Sequence, residues 1–174
     1  MAPALLLVDV VKDFLHEDGA RLLASYGERH EALRAAVEVA RRERRPVIYA
    51  NDDAGPWESD APALVRQAVA EGKGGDLVAA IAPQPGDTFV LKTGYSAFDE
   101  TPLASLLRDA LRVDELAVAG TATEMCVFQT VQDALRLGFT VSVLADACAT
   151  VDPEHERLAL EFLERVQGVP IIRL

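Results

Sequence analysis

The chain has 174 residues, half of them hydrophobic and 26% charged, which predicts one globular domain over residues 1–174 and excludes collagen-like, coiled-coil and disordered classes. Its net charge of −11 repels phosphate backbones and anionic lipids, so we expect neither a nucleic-acid nor a membrane partner. No apolar run approaches the ~20 residues of a membrane span, and no secretory signal pattern is visible. Two cysteines are too few for a disulfide framework. We therefore expect a cytoplasmic protein.

Short apolar runs alternate with helical patterns along the chain. The runs lack polar alternation, which predicts strands that are covered on both faces, at residues 4–8, 46–50, 88–91, 116–119, 140–144 and 169–172. Helical spacing of apolar residues predicts helices at residues 28–45, 61–71, 102–112, 124–137 and 153–166. We interpret residues 15–26 and 52–61 as loops and the glycine-rich residues 71–75 as a flexible connection. The alternation predicts a three-layer Rossmann-like α/β fold, with a six-stranded parallel sheet in the order 3-2-1-4-5-6 and helices on both faces.

Three reactive side chains are predicted at the carboxyl ends of the strands, where sheets of this kind bind ligands. Asp9 follows the first strand, Lys92 follows the third, and Cys126 lies where the fourth strand leads into a helix. A helix N-terminus and a nearby ammonium both favour a thiolate, so we expect Cys126 to be an activated nucleophile and Lys92 to hold the two anions together. Asp9 would act as general base and then as general acid, which predicts acyl transfer.

Each of these residues also fits a structural role when it is taken alone. A strand-ending aspartate often caps a turn, and a cysteine near an apolar helix is often a small core residue. The functional interpretation therefore depends on all three occurring together. Cys148 follows the fifth predicted strand without a helix start beside it, and we interpret it as packing. No Gly-x-Gly-x-x-Gly pattern follows the first strand, so we expect no nicotinamide cofactor.

Three ordered sequence blocks carry a pattern that runs through nearly the whole chain. They are Asp9-Val10-Val11-Lys12-Asp13-Phe14, the segment from Lys92 to Leu103 with its Tyr-Ser-Ala-Phe, and Gly-x-x-Thr-x-x-Cys-Val from Gly120 to Val127. With these blocks the chain resembles the isochorismatase-like cysteine hydrolases. The resemblance implies that Asp9, Lys92 and Cys126 form a catalytic triad. It also implies a cis bond between Thr121 and Ala122 and an oxyanion hole built from the backbone N–H groups of Ala122 and Cys126.

The sequence departs from the family pattern at two places. Val11 stands where the family usually has glutamine, which leaves the substrate open. Nicotinamidases of the family bind a metal through an aspartate that Asp52 matches and a histidine two residues later, where this chain has Ala54. The histidines of the chain show no ligand spacing, so we expect no metal and no other cofactor; they are His16, His30 and His155.

The resemblance also implies an activity. A retained cysteine implies a thioester intermediate, so we expect hydrolysis of a small amide, carbamoyl or similar acyl substrate. Two alternatives stay open: hydrolysis of a vinyl ether as in isochorismatase itself, and a catalytically silent member that binds a metabolite or partner. We expect a homodimer or homotetramer, because relatives assemble in these ways. Candidates for lining the substrate pocket are Phe14, Trp57, Tyr95 and Phe128.

Overall fold

The computed structural model describes residues 3–52 and 60–173, and its six strands form one parallel sheet. The strands are β1 (Ala4–Val8), β2 (Val47–Asp52), β3 (Thr88–Lys92), β4 (Glu115–Thr121), β5 (Thr140–Ala149) and β6 (Ile171–Ile172). Their order in the sheet is β3-β2-β1-β4-β5-β6, which confirms the predicted topology. The order reverses between β1 and β4, so the ligand crevice of this fold lies at the carboxyl ends of these two neighbouring strands.

The helices connect the strands on both faces of the sheet. They are α1 (Gly19–Arg42), α2 (Ala61–Ala70), α3 (Gly75–Ala80), α4 (Leu103–Ser105), α5 (Phe128–Arg136) and α6 (Pro153–Gln167). A π-helical segment continues α4 at Leu106–Ala110, and another precedes α5 at Thr123–Val127. The chain moves outward from β1 to β3 and then, in the opposite direction, from β4 to β6, so right-handed crossovers place helices on both faces.

The core is centred on β1, in which every residue from Ala4 to Val8 is buried. A strand that is covered by helices on both faces has no polar side, which explains its uninterrupted apolar sequence. The helix α1 packs across β1, β2, β4 and β5. In the part of the chain that the structure describes, no helix has both the length and the hydropathy of a membrane span.

The structure corrects two helix predictions. The helix α1 begins at Gly19, so much of the span predicted as a loop is helical; Gly19 and Gly27 obscured the pattern because glycine is a weak helix former. The helix α3 was not predicted, because its six residues are too few to show a period.

The glycine-rich connection between α2 and α3 is a packed turn and not a flexible link. A Cβ on Gly72 would lie 2.9 Å from the Cα atom of Asp13, and one on Gly74 would lie 2.9 Å from the ring of Phe14. These glycines leave room for the backbone of Asp13 and for the ring of Phe14. A further correction concerns Cys148, which lies within β5 because that strand extends to Ala149.

Candidate active site

Asp9 is held between β2 and β4, the two strands that flank β1 in the sheet. It directly follows β1 and has a φ of 50°, in the left-handed region that aspartate tolerates better than most residues. Its backbone N–H donates to the Ala50 carbonyl oxygen of β2 at 2.9 Å, and its own carbonyl oxygen accepts a 2.9 Å hydrogen bond from the Thr121 hydroxyl of β4. Its Oδ1 accepts a 2.8 Å hydrogen bond from the Asp52 backbone N–H. The carboxyl group is therefore fixed in position as well as fully buried.

Lys92 ends β3, where it faces Asp52 at the end of β2 in the strand register. Its side chain is fully buried, with Nζ 2.9 Å from Asp9 Oδ2 and 2.9 Å from the Gly94 carbonyl oxygen, and Nζ also pairs with the Asp52 carboxylate. Burial works to lower the pKa of Lys92, but its interactions with Asp9, Cys126 and Asp52 outweigh burial and hold that pKa above its ordinary value. Lys92 is therefore a permanent cation between two carboxylates at neutral pH.

Cys126 lies in the π-helical segment Thr123–Val127, with its Sγ 3.9 Å from Lys92 Nζ. Burial, together with the Asp9 carboxylate, raises the pKa of Cys126 to about 12, and Lys92 only partly opposes them. The expectation of a resting thiolate is therefore wrong: the nearby ammonium is shared with two carboxylates, and Cys126 is not the first residue of its helical segment. The sulfur stays protonated until a base removes its proton.

Asp9 is the base that the geometry offers to the thiol. Burial raises the pKa of Asp9 above its ordinary value, although Lys92 works in the other direction. Asp9 Oδ2 and the Cys126 sulfur lie 2.9 and 3.9 Å from the same atom, Lys92 Nζ, and the charge of Asp9 contributes to the high pKa of Cys126, so the two groups lie close together. A buried carboxylate with a raised pKa accepts a proton more readily than an exposed one. The three side chains can therefore move a proton from sulfur to oxygen as the sulfur forms a bond.

The turn between β4 and Cys126 is closely packed. The peptide bond between Thr121 and Ala122 is cis. Gly120 has a φ of 134°, and a Cβ there would lie 2.0 Å from the Val8 carbonyl oxygen, so only glycine fits against β1. The Ala122 carbonyl oxygen accepts hydrogen bonds from the backbone N–H groups of Met125 and Val127, at 3.0 and 3.2 Å. The backbone before the sulfur is therefore set by β1 and by the start of the π-helical segment.

A cavity of about 540 Å³ opens over the sulfur. Cys126 is 8% exposed, and Ala122 and Met125 also line the cavity from the same turn. Leu15 and His16, which precede α1, line it as well. Such a volume is in the range of small-molecule sites, of which ~300 Å³ is the lower end.

The residues that were predicted to line the pocket have different outcomes in the structure. Tyr95 lines the cavity and is 53% exposed. Phe14 lies instead in the core, edge-on to the ring of Tyr26 with 5.1 Å between centroids, because its backbone turns the side chain under α1. Phe128 is not among the residues that line this cavity and lines a different groove, beside α6. Trp57 lies outside the described residues.

Two site residues were missed or only half recognised from the sequence. The Asn51 side chain clamps the backbone of Val11: its Nδ2 donates to the Val11 carbonyl oxygen at 2.6 Å, and its Oδ1 accepts from the Val11 N–H at 3.1 Å. Asp52 was considered only as a metal ligand, whereas its carboxylate is paired with Lys92. The signal for both was their place at the carboxyl end of β2, which was predicted to end at Ala50.

Among residues 3–52 and 60–173, no three or more His, Cys, Asp or Glu side chains are grouped as a metal site would need. Asp52 matches the aspartate that binds metal in nicotinamidases, but here Lys92 supplies its positive partner. Ala54, which replaces the histidine of that pattern, lies outside the described residues. The absence of a metal from the reaction stays a prediction.

Comparisons with known proteins identify the family and agree with the fold. The family model for the isochorismatase domain matches residues 3–173. The uncharacterized isochorismatase family protein YaaI of Bacillus subtilis is 31% identical over 94% of this chain and 89% of its own. The ureidoacrylate amidohydrolase RutB of Caulobacter segnis is 35% identical over 76% of this chain, which spans only 64% of that protein. The crystal structure of N-carbamoylsarcosine amidase from Thermoplasma acidophilum is similar with a TM-score of 0.77 and 31% identity, covering 99% of this chain and 96% of that one.

Proposed function

The chain belongs to the isochorismatase family, and from this premise we propose that it is a cysteine-dependent hydrolase of a small amide, carbamoyl or similar acyl substrate. One observation carries the proposal: Lys92 Nζ lies 2.9 Å from Asp9 and 3.9 Å from the Cys126 sulfur, beside a cavity that the sulfur lines. The names of RutB and of the carbamoylsarcosine amidase support amide chemistry. A nucleophilic thiol serves acyl transfer, because it forms a covalent intermediate with a carbonyl carbon.

The first step forms the carbon–sulfur bond. Asp9 takes the proton of the Cys126 thiol as Sγ attacks the substrate carbonyl carbon, and the electron pair of the carbonyl double bond moves to its oxygen. The backbone N–H groups of Ala122 and Cys126 are the proposed donors to that oxyanion. Lys92 does not take this role, since Asp9, Asp52 and the Gly94 carbonyl oxygen surround its ammonium.

The next steps release both products. The carbon–nitrogen bond breaks, the leaving amine takes the proton from Asp9, and a thioester remains on Cys126. A water molecule then attacks the thioester and gives a proton to Asp9. The carbon–sulfur bond breaks, the carboxylic acid leaves, and the sulfur recovers its proton from Asp9. Each turnover therefore consumes one water and returns Asp9 and Cys126 to their starting states.

Intact-mass measurement tests the covalent step. A panel of primary amides, carbamoyl compounds and isochorismate is mixed with the enzyme, and we expect a transient adduct with the mass of the acyl group for any amide or carbamoyl compound that is hydrolysed. The Cys126→Ala variant should show neither adduct nor turnover, while Cys148→Ala, which removes the thiol in β5, should retain both. Amide turnover by Cys126→Ala would contradict the mechanism, and isochorismate hydrolysis by that variant would favour the vinyl ether alternative. Amide turnover that a chelator abolishes would contradict the prediction of a metal-free site.

A further inference from the structure

The cation closest to the sulfur has no place for a substrate anion. An ammonium has three hydrogens. The Asp9 carboxylate, the Asp52 carboxylate and the Gly94 carbonyl oxygen surround Lys92 Nζ, and the side chain is fully buried. A carboxylate on a substrate would have to displace one of these oxygens to reach Lys92. The charge of Lys92 is therefore committed within the protein.

The immediate surroundings of the sulfur carry an excess of negative charge. Asp9 and Asp52 contribute two carboxylates, and Lys92 contributes one ammonium. The Asp52 side chain is 43% exposed and lines the cavity, so its charge faces an arriving substrate directly. A carboxylate group near the scissile bond would be repelled by this uncompensated charge, because the partly buried site screens it less than bulk water does.

The rest of the cavity does not reverse this balance. Lys12 is the one Lys or Arg among the described lining residues, and Asp13, its neighbour in sequence, lines the same cavity. Asp18 lines it too, and its charge is matched by an ion pair with Arg21. The sequence of residues 53–59 contains two acidic residues and no Lys or Arg, so that segment cannot bring a cation to the site.

We infer that this site accepts uncharged or cationic amides and rejects amides that carry a carboxylate close to the scissile bond. The inference rests on the proposed function and narrows its substrate class. It also separates this chain from two of its relatives, because ureidoacrylate and N-carbamoylsarcosine, which their names print, are carboxylates. On this inference, the charge around the sulfur decides which class of amide the site accepts.

Two alkylating reagents of nearly the same size test the charge preference. Iodoacetamide is neutral and iodoacetate is anionic; with either, Sγ displaces iodide from the methylene carbon and the thiol proton passes to Asp9. The rates are measured by mass spectrometry at Cys126 in the Cys148→Ala background, and their ratio is divided by the same ratio for 2-mercaptoethanol, a neutral thiol. We expect iodoacetamide to be favoured by about tenfold after this correction, the effect of one uncompensated charge a few ångströms away.

Matched variants assign the effect to the cavity. Asp52→Asn should bring the corrected ratio close to one, and Asp13→Asn, which does not touch Lys92, should lower it by a smaller factor. Asp109→Asn removes a charge from an exposed residue outside the cavity and should leave the ratio unchanged. A corrected ratio near one in the parent protein would overturn the inference. So would faster labelling by iodoacetate that Lys12→Gln abolishes, which would assign Lys12 as a carboxylate anchor.

Failure of the inference is distinguishable from failure of the proposed function. If neither reagent alkylates Cys126, the sulfur is not an available nucleophile, and the proposed function fails together with the inference that rests on it. If both reagents alkylate it at the corrected rate of the reference thiol, the nucleophile stands and only the charge preference is overturned.

Discussion

The two cysteines of this chain have similar ionisation but different surroundings. Burial raises the pKa of both Cys126 and Cys148 to about 12, so neither thiol is ionised at neutral pH. Cys148 lies in β5 opposite Gly120 of β4 and is completely enclosed. Cys126 borders a cavity, and its sulfur lies 3.9 Å from Lys92 Nζ and close enough to Asp9 for that carboxylate to raise its pKa. A raised pKa therefore does not distinguish a core thiol from a nucleophile; access and a proton acceptor do.

The largest expected effect is on the free energy of unfolding and comes from removing Lys92, the cation beside Cys126. Lys92→Met leaves Asp9 buried without its partner, which should lower the free energy of unfolding by about 3–5 kcal/mol. Adding Asp9→Asn removes the stranded charge, so the double variant should be more stable than Lys92→Met alone. Urea unfolding of the single and double variants measures this coupling.

The matched control for that experiment is Cys148→Ala combined with Lys92→Met. These two residues share no contact, so their effects on the free energy of unfolding should add. If the Asp9 and Lys92 effects were also additive, the two groups would not be a coupled pair in solution. Cys126 would then not differ from Cys148 by having a charged pair beside it.

The next effect is on the pH dependence of turnover. In the proposed mechanism Asp9 must be ionised to accept the thiol proton, and burial raises its pKa above 3.8, so kcat/KM should fall as pH decreases through a value above 3.8. Lys92 lowers the pKa of Asp9, so Lys92→Met should move this acid limb to higher pH in whatever activity remains. Cys148→Ala should leave the limb in place. An acid limb that stayed fixed in Lys92→Met would show that a group other than Asp9 controls it.

The raised pKa of Lys92 predicts how the stability of the protein changes at alkaline pH. Its pKa in the folded protein lies above 10.5, so the stabilisation from its ion pairs is fully present below pH 10.5 and is lost as pH rises through the folded value. The corresponding loss should be absent from Lys92→Met. Unfolding measured on either side of pH 10.5 compares the two proteins.

The sequence was sufficient to predict the features of the fold and site that follow from strand order. Buried parallel strands appear as apolar runs, and Asp9 and Lys92 each directly follow one, which brings them to the same edge of the sheet. The pairing of Lys92 with Asp52 was not predictable, because it depends on the register of β2 against β3 and on where β2 ends. The direction of the Phe14 side chain depends on a φ of 58°, which no periodicity encodes. The charge state of Cys126 depends on burial, which the motif alone does not give.

The smallest expected effect concerns packing at the two sulfurs. Cys148 is enclosed on all sides, so Cys148→Ala leaves a cavity that its neighbours cannot fill and should lower the free energy of unfolding by about 1 kcal/mol. Cys126→Ala removes an atom that already borders open space. The neutral thiol also stabilises the Asp9 carboxylate only weakly, so this variant should lose less free energy of unfolding than Cys148→Ala. Urea midpoints at constant m-value measure both. A Cys126→Ala cost equal to or larger than that of Cys148→Ala would mean that the sulfur is packed as tightly as a core residue, which leaves no room beside it for a carbonyl carbon.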